Sequence, residues 1–84
     1  MSDSIEKEKT LSEHVTLALA NYFKELDGQH TTNLYEMVIQ EVERPLIESV
    51  LVHTNNNQCT TARILGLSRG TLRKKMQQYG LLKQ

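Results

Sequence analysis

Gln58-Cys59-Thr60-Thr61-Ala62-Arg63-Ile64-Leu65-Gly66-Leu67-Ser68-Arg69-Gly70-Thr71-Leu72-Arg73-Lys74-Lys75-Met76 is the stretch on which the fold turns. Its spacing Ala62-x3-Gly66-x5-Leu72 is that of two short helices joined across a tight turn, and each position has a steric reason. Ala62 is small where the second helix crosses closest. Gly66 takes the turn, where positive φ costs glycine nothing. Leu67 follows as a plug between the helices, and Ser68 stands at the N-cap of the second. Leu72 and Met76 return to the core one turn apart, while Ile64 and Leu65 anchor the first helix. The prediction is a helix over 58–65, a turn at 66–68 and a final helix over 69–78.

Outward from this unit, the charge layout is the next signal. Leu51 to Gln84 holds six bases (Arg63, Arg69, Arg73, Lys74, Lys75, Lys83) and no carboxylate side chain. All ten acidic residues lie in the first fifty, with only Lys7, Lys9, Lys24 and Arg44 as bases among them. The formal net charge of zero is therefore a sum of about −6 and +6, one block after the other. A basic end segregated from an acidic body points to a polyanionic partner. The exposed side of the second helix would be Arg69, Thr71, Arg73, Lys74 and Lys75, with Gln77 and Gln78 beyond. A helix of this kind sets its N-terminal residues against base edges in the major groove of double-stranded DNA. Arg69, in the first turn, has the reach to chelate N7 and O6 of a guanine. Ser68 and Thr71 are short donors for a phosphate or a base edge, and Asn57 opens the preceding helix beside its free N–H groups. Successive residues diverge by about 100° around a helix, so some of Arg73, Lys74 and Lys75 must address phosphates. Lys74 and Lys75 also suit the negative end of the helix dipole as solvated charges.

Upstream, Leu11, Val15, Ala18, Leu19, Tyr22, Phe23 and Leu26 recur at spacings of three and four, a helix capped near Ser12 and ended by Asp27-Gly28. Thr32 or Asn33 can cap a second helix, Leu34 to Thr54, apolar on more than one side and hence expected to have more than one neighbour. Pro45 falls within it, but the apolar period continues in register, so a kink is expected rather than a stop. Asn55-Asn56-Asn57 breaks the helix. Met1 to Thr10 has little to bury and is expected to be a mobile arm; Leu81 to Gln84 is a tail. The organisation is thus an arm (1–10), a helical core (11–54), a helix-turn-helix (55–80) and a tail (81–84), all-α with four helices.

A chain of 84 residues buries only about 60% of its unfolded surface on folding alone, so help is expected. Cys59 is the only cysteine and is expected to fill a small, half-exposed site; no intrachain disulfide can form. His14, His30 and His53 lack the spacing and cysteine partners of a zinc site. Oligomerisation remains as the source of extra burial, with Tyr22, Phe23 and Tyr35 adding aromatic mass to the core. No apolar run approaches the ~20 residues of a membrane span, and no signal peptide is seen, so a cytoplasmic chain without membrane contact is expected. No nucleophile–base pair or metal-ligand spacing is present, and neither enzymatic activity nor a cofactor is expected.

Gly70-Thr71-Leu72-Arg73-Lys74-Lys75 with Tyr79-Gly80 resembles the C-terminal signature of Fis, the factor for inversion stimulation, a family of bacterial nucleoid-associated proteins. Asn21-Tyr22-Phe23, Leu26-x-Gly28-Gln29, Leu34-Tyr35-Glu36 and Glu41-Val42-Glu43-x-Pro45-Leu46 extend the resemblance from about Leu11 to Gly80. It implies a homodimer whose first two helices interlock with the partner's in a four-helix core. Two helix-turn-helix units would then meet the duplex closer together than one DNA pitch, bending it and reading degenerate A/T-rich sites by deformability. Transcription regulation at the nucleoid is the implied role. The resemblance assigns base reading to Arg69 and phosphate contacts to Asn57, Thr71, Arg73, Lys74 and Lys75. The helix-turn-helix half is also similar to the DNA-binding ends of NtrC-type activators, so an activator's output module is one alternative, and a helical protein–protein adaptor another.

The chain departs from the best-known members at several positions. Gln77 and Gln78 replace lysines, Ser68 an asparagine, Asn55-Asn56 an Arg-Gly pair, and Cys59 and Thr60 a threonine and an arginine. RNA polymerase is a partner implied through the turn at Asn55-Asn56, and the change there weakens that implication. The family's β-arm, which stimulates recombinases, is reduced to about ten polar residues, so recombinase stimulation is not expected. Each charge difference named removes a positive charge. Measured by titration against salt, duplex binding should therefore be weaker than the family norm, with a shallower slope of log affinity against log salt.

Overall fold

The computed structural model of the chain describes residues 8–82, of which four segments are helical and none is a strand. The elements are α1 (Leu11–Leu26), α2 (Leu34–His53), α3 (Gln58–Leu65) and α4 (Arg69–Gln78). They fall into two compact units, Met1–Thr32 and Asn33–Gln84. Most of the arm expected at 1–10, and Lys83 and Gln84 of the tail, lie outside the described residues.

The first unit is α1 and its flanks. Thr10, not Ser12, caps the helix: its hydroxyl accepts from the Glu13 amide at 3.1 Å while the Glu13 carboxylate accepts from the Thr10 amide at 2.8 Å. This reciprocal box needs a hydroxyl three residues before a carboxylate, a spacing that Thr10 meets and Ser12 does not. At the other end Asp27 (φ 52°) and Gly28 (φ 87°) both take the left-handed region, and the Gln29 amide closes back on the Leu26 carbonyl at 3.1 Å. The hydroxyls of Tyr22 and Thr31 meet at 3.0 Å, drawing the following loop onto the helix. No residue of α1 is buried. Its apolar face stays partly open, with Leu11 at 66% and Phe23 at 50% exposure.

The second unit is built on α2. Asn33 caps it in the left-handed region (φ 59°) through its backbone alone. The helix passes through Pro45 and continues to His53. Its end is set by asparagines: Asn55 (φ 55°) and Asn56 (φ 67°) are left-handed, and the Asn56 amide reaches back to the Leu51 carbonyl at 2.8 Å. Asn57 then turns extended (φ −80°) and caps α3, its Oδ1 accepting from the Thr60 amide at 3.0 Å. Gly66 (φ 77°) ends α3, and the Leu67 amide closes on the Ala62 carbonyl at 2.9 Å. A Cβ on Gly66 would meet nothing within 4 Å. Glycine is therefore needed there for its φ and not for space.

Ile47 and Leu51 of α2, Ala62 of α3, and Leu72, Met76 and Tyr79 at α4 form the core, joined at its edge by Leu65, Leu81 and Leu82. Beneath α3, Thr61 is fully buried and its hydroxyl meets that of Thr54 at 2.7 Å, so this buried polar side chain is satisfied. Three expectations are corrected here. Ile64 does not anchor α3, being 52% exposed; it lies two residues from Ala62 and so turns roughly 200° away from it. Tyr35 and Phe23 stay exposed while Tyr79 is the aromatic of the core, and Cys59 is exposed rather than half-buried. Replacing Leu72, 0% exposed, with alanine should cost about 2–5 kcal/mol in urea unfolding. Ile64→Ala should stay within roughly 0.5 kcal/mol.

Candidate nucleic-acid interface

Leu72, Met76 and Tyr79 recur at i, i+4 and i+7, and their burial fixes which side of α4 faces inward. Arg69, Thr71, Arg73, Lys74, Gln77 and Gln78 are left exposed on the rest of its surface. Ser68 starts the helix by accepting from the Thr71 amide at 3.1 Å, and its own hydroxyl donates to Thr71 Oγ1 at 3.0 Å. The Ser68 hydroxyl is thus engaged in capping. The Thr71 hydroxyl proton is the one left to donate outward.

Three contacts organise the site across elements. Arg73 Nη1 donates to Gln58 Oε1 at 3.0 Å, bringing the guanidinium beside the first turn of α3, next in sequence to Asn57. The Asn57 side-chain oxygen is taken by its cap, which leaves the amide N–H2 as the donor that can meet a phosphate. From α2, Glu43 accepts at one carboxylate oxygen from the Tyr79 hydroxyl (2.6 Å) and at the other from Lys75 Nζ (2.8 Å). The two charged side chains are only 28% and 23% exposed. By contrast the Arg44–Glu48 pair, at 3.9 Å and 55% and 47% exposure, is an open surface pair of little energetic weight.

The Lys75 hydrogen bond, helped by that of Tyr79, lowers the Glu43 carboxyl below its ordinary range against the opposing effect of burial. The same Glu43 contact, with burial, pushes the Tyr79 phenol from 10.0 up to about 12. Among the described residues, no ion pair involves Arg69, Arg73 or Lys74. Of the residues expected from sequence at this surface, Arg69, Thr71, Arg73 and Lys74 are all exposed on α4, spread around the part of its circumference that the core leaves open, and Asn57 caps α3 next in sequence to Gln58, the partner of Arg73. Ser68 is adjacent but engaged in the cap, and Lys75 is half-buried and turned to Glu43. Glu43, Gln58 and Tyr79 are not legible in sequence as parts of this arrangement. Glu43 and Tyr79 are 36 residues apart, and only the four-residue step from Glu43 to Ile47 on α2 hints that the carboxylate faces the core.

Among the described residues no group of His, Cys, Asp or Glu could hold a metal ion, and no helix is long and apolar enough to cross a membrane. Residues 38–79 match the model of a bacterial regulatory protein domain of the Fis family, and residues 1–31 match that of the N-terminal domain of the DNA-binding protein Fis. The chain belongs to the Fis family. It is 51% identical over 73 residues to the DNA-binding protein Fis of Actinobacillus succinogenes, covering 87% of this chain and 74% of that protein. It is 47% identical over 74 residues to that of Glaesserella parasuis, covering 88% and 76%, and equally to that of Proteus mirabilis. The Fis resemblance seen in the C-terminal signature thus extends through the N-terminal unit, and the family is one of regulators rather than enzymes.

The clamp on Glu43 has a definite pH signature. A carboxyl lowered in the folded state adds stability that is complete above its unfolded value and is lost as pH falls through the folded one. A phenol raised in the folded state adds stability complete below 10.0 and lost as pH rises through about 12. The stability difference between the chain and Glu43→Gln, from urea midpoints, should be level from neutral pH down to about pH 4–5 and shrink below it.

Proposed function

We propose that this Fis-family protein is a homodimeric, DNA-bending, nucleoid-associated transcription regulator that binds degenerate A/T-rich sites through its helix-turn-helix. The observation that carries the reading is the orientation of α4. Burial of Leu72, Met76 and Tyr79 leaves Arg69, Arg73 and Lys74 outward, in a segment from Leu51 onward with no carboxylate side chain. Arg69, in the first turn, chelates a guanine edge in the major groove. Asn57, Thr71, Arg73 and Lys74 take phosphates and fix the register of the helix on the duplex. Ser68 supports them by holding the first turn of α4, and Lys75 has the smallest share because its ammonium is already engaged. The relatives' printed name, DNA-binding protein, supports the same class of ligand.

The dimer reading is supported by what the first unit leaves uncovered. A 16-residue helix with an apolar face and no buried residue is not stabilised by its own contacts. On α2, Tyr35, Met37, Ile39 and Leu46 are likewise exposed. Covering these faces with a second copy would give residues 11–54 the role of a dimerisation core and set two units of 55–80 against one duplex. With the paired helices closer than a DNA pitch, contact with both requires bending, which A/T-rich flexible steps make cheaper. RNA polymerase is a further candidate partner in that role, with any contact through the exposed turn of Asn55 and Asn56 weakened by the absence of a positive charge there.

Arg69→Ala should cost about 1–3 kcal/mol of duplex affinity and relax discrimination at one base pair, measured by fluorescence anisotropy over single-base variants of one site. Unchanged affinity would remove α4 from the interface. Sedimentation equilibrium should give twice the chain mass at micromolar concentration; a monomer there would sink the dimer.

A further inference from the structure

We infer that Glu43 is a positioning residue for α4, setting the rotation of the helix about its own axis and withholding Lys75 from the phosphates that Arg73 and Lys74 meet. The inference rests on the reading of α4 as the duplex-facing helix and deepens it. Glu43 lies on α2, one turn before Ile47 and two before Leu51, so the same side of α2 that buries those residues against α4 also carries the carboxylate. Its two oxygens divide between Lys75 Nζ (2.8 Å) and the Tyr79 hydroxyl (2.6 Å). Lys75 and Tyr79 are four apart, one turn of α4. A carboxylate holding two successive turns opposes rotation of the helix, and a one-residue slip would swing Arg69 by about 100° away from its direction.

The charge consequence follows from the same contacts. Lys74 and Lys75 look equivalent in sequence, yet Lys74 is exposed and Lys75 is half-buried beside a carboxylate. A phosphate could recruit the Lys75 ammonium only by breaking a short, largely covered ion pair. That would leave the Glu43 charge at the edge of the core with a single hydroxyl donor. Lys74 meets no such competition. Of two adjacent lysines, one is therefore available to the polyanion and its neighbour holds the helix that presents it.

The test is the slope of log affinity against log salt for a duplex, whose magnitude falls by about 0.9 for each phosphate the protein ceases to neutralise. It is to be measured on the full chain, Lys74→Gln, Lys75→Gln, Glu43→Gln and the Glu43→Gln/Lys75→Gln double variant. Lys74→Gln should lower the slope by about 0.9 per subunit, and Lys75→Gln by less than half as much. Glu43→Gln should raise the slope as Lys75 is released, and adding Lys75→Gln to it should reverse the rise. A merely structural Glu43 would shift affinity and melting temperature while leaving the slope in place, which overturns the inference. An equal fall in slope for the two lysine variants overturns it as well, and that comparison decides even if Glu43→Gln fails to fold. If the unmodified chain does not bind duplex at low salt, the reading of α4 falls and the inference with it. Binding with a slope sensitive to Lys74→Gln and equally to Lys75→Gln sinks the inference alone.

Discussion

The seating of α4 on α2 is the constraint from which the rest of the Asn33–Gln84 unit follows. A ten-residue helix is too short to be stable by itself in water, so its conformation and its direction both come from what it buries. Leu72, Met76 and Tyr79 supply that burial against Ile47, Leu51 and Ala62. Glu43 then adds the directional part, because hydrophobic contact is indifferent to small rotations while two hydrogen bonds from one carboxylate are not. Everything exposed on α4 is placed as a consequence. The basic surface is what remains once the inward side has been fixed.

The turns that precede α4 serve the same end by satisfying backbone groups locally. Asn57 and Ser68 each accept an amide three residues on, and Gly66, Asn55 and Asn56 take the left-handed conformations that close helix ends. Little apolar area is available to offset strain in so short a unit, so caps of about 1 kcal/mol each are a substantial fraction of its stability. The Thr54–Thr61 hydroxyl pair has an equivalent role between α2 and α3, replacing water at a position that is otherwise sealed.

The parts of this architecture that depend on short-range rules are legible in the sequence. The boundaries of α3 and α4, the left-handed Gly66, the Ser68 cap and the inward turn of Leu72 and Met76 all follow from spacings under seven residues. Exposure of Arg73 and Lys74 follows from the same periodicity, whereas Arg69, three residues before Leu72 and seven before Met76, falls on their stripe and is nevertheless exposed in the first turn. What cannot be read depends on contacts made across the unit. Tyr79 marks the end of a helix in sequence and is an aromatic of the core in space. Lys75 reads as equal to Lys74 until α2 sets Glu43 against it. Ile64 looks like an anchor because it is large and apolar, but only the crossing of α4 over Ala62 decides which side of α3 is covered. The cap of α1 falls at Thr10 rather than Ser12 for a local reason: the reciprocal partner of Glu13 is three residues before it. Leu11 and Phe23 on α1 and Tyr35 and Leu46 on α2 stay exposed, and these are the faces that the proposed dimer would cover.

In the proposed complex the exposed surface of α4, from Arg69 at its first turn round to Arg73 and Lys74, meets a duplex while α2 holds the helix from behind. Amide chemical shifts, followed as a short A/T-rich duplex with terminal guanines is added, distinguish the surfaces involved. The largest changes should fall at residues 68–74 and at the first turn of α3, with residues 34–42 of α2 little affected. Changes concentrated on α2, with α4 silent, would contradict this arrangement.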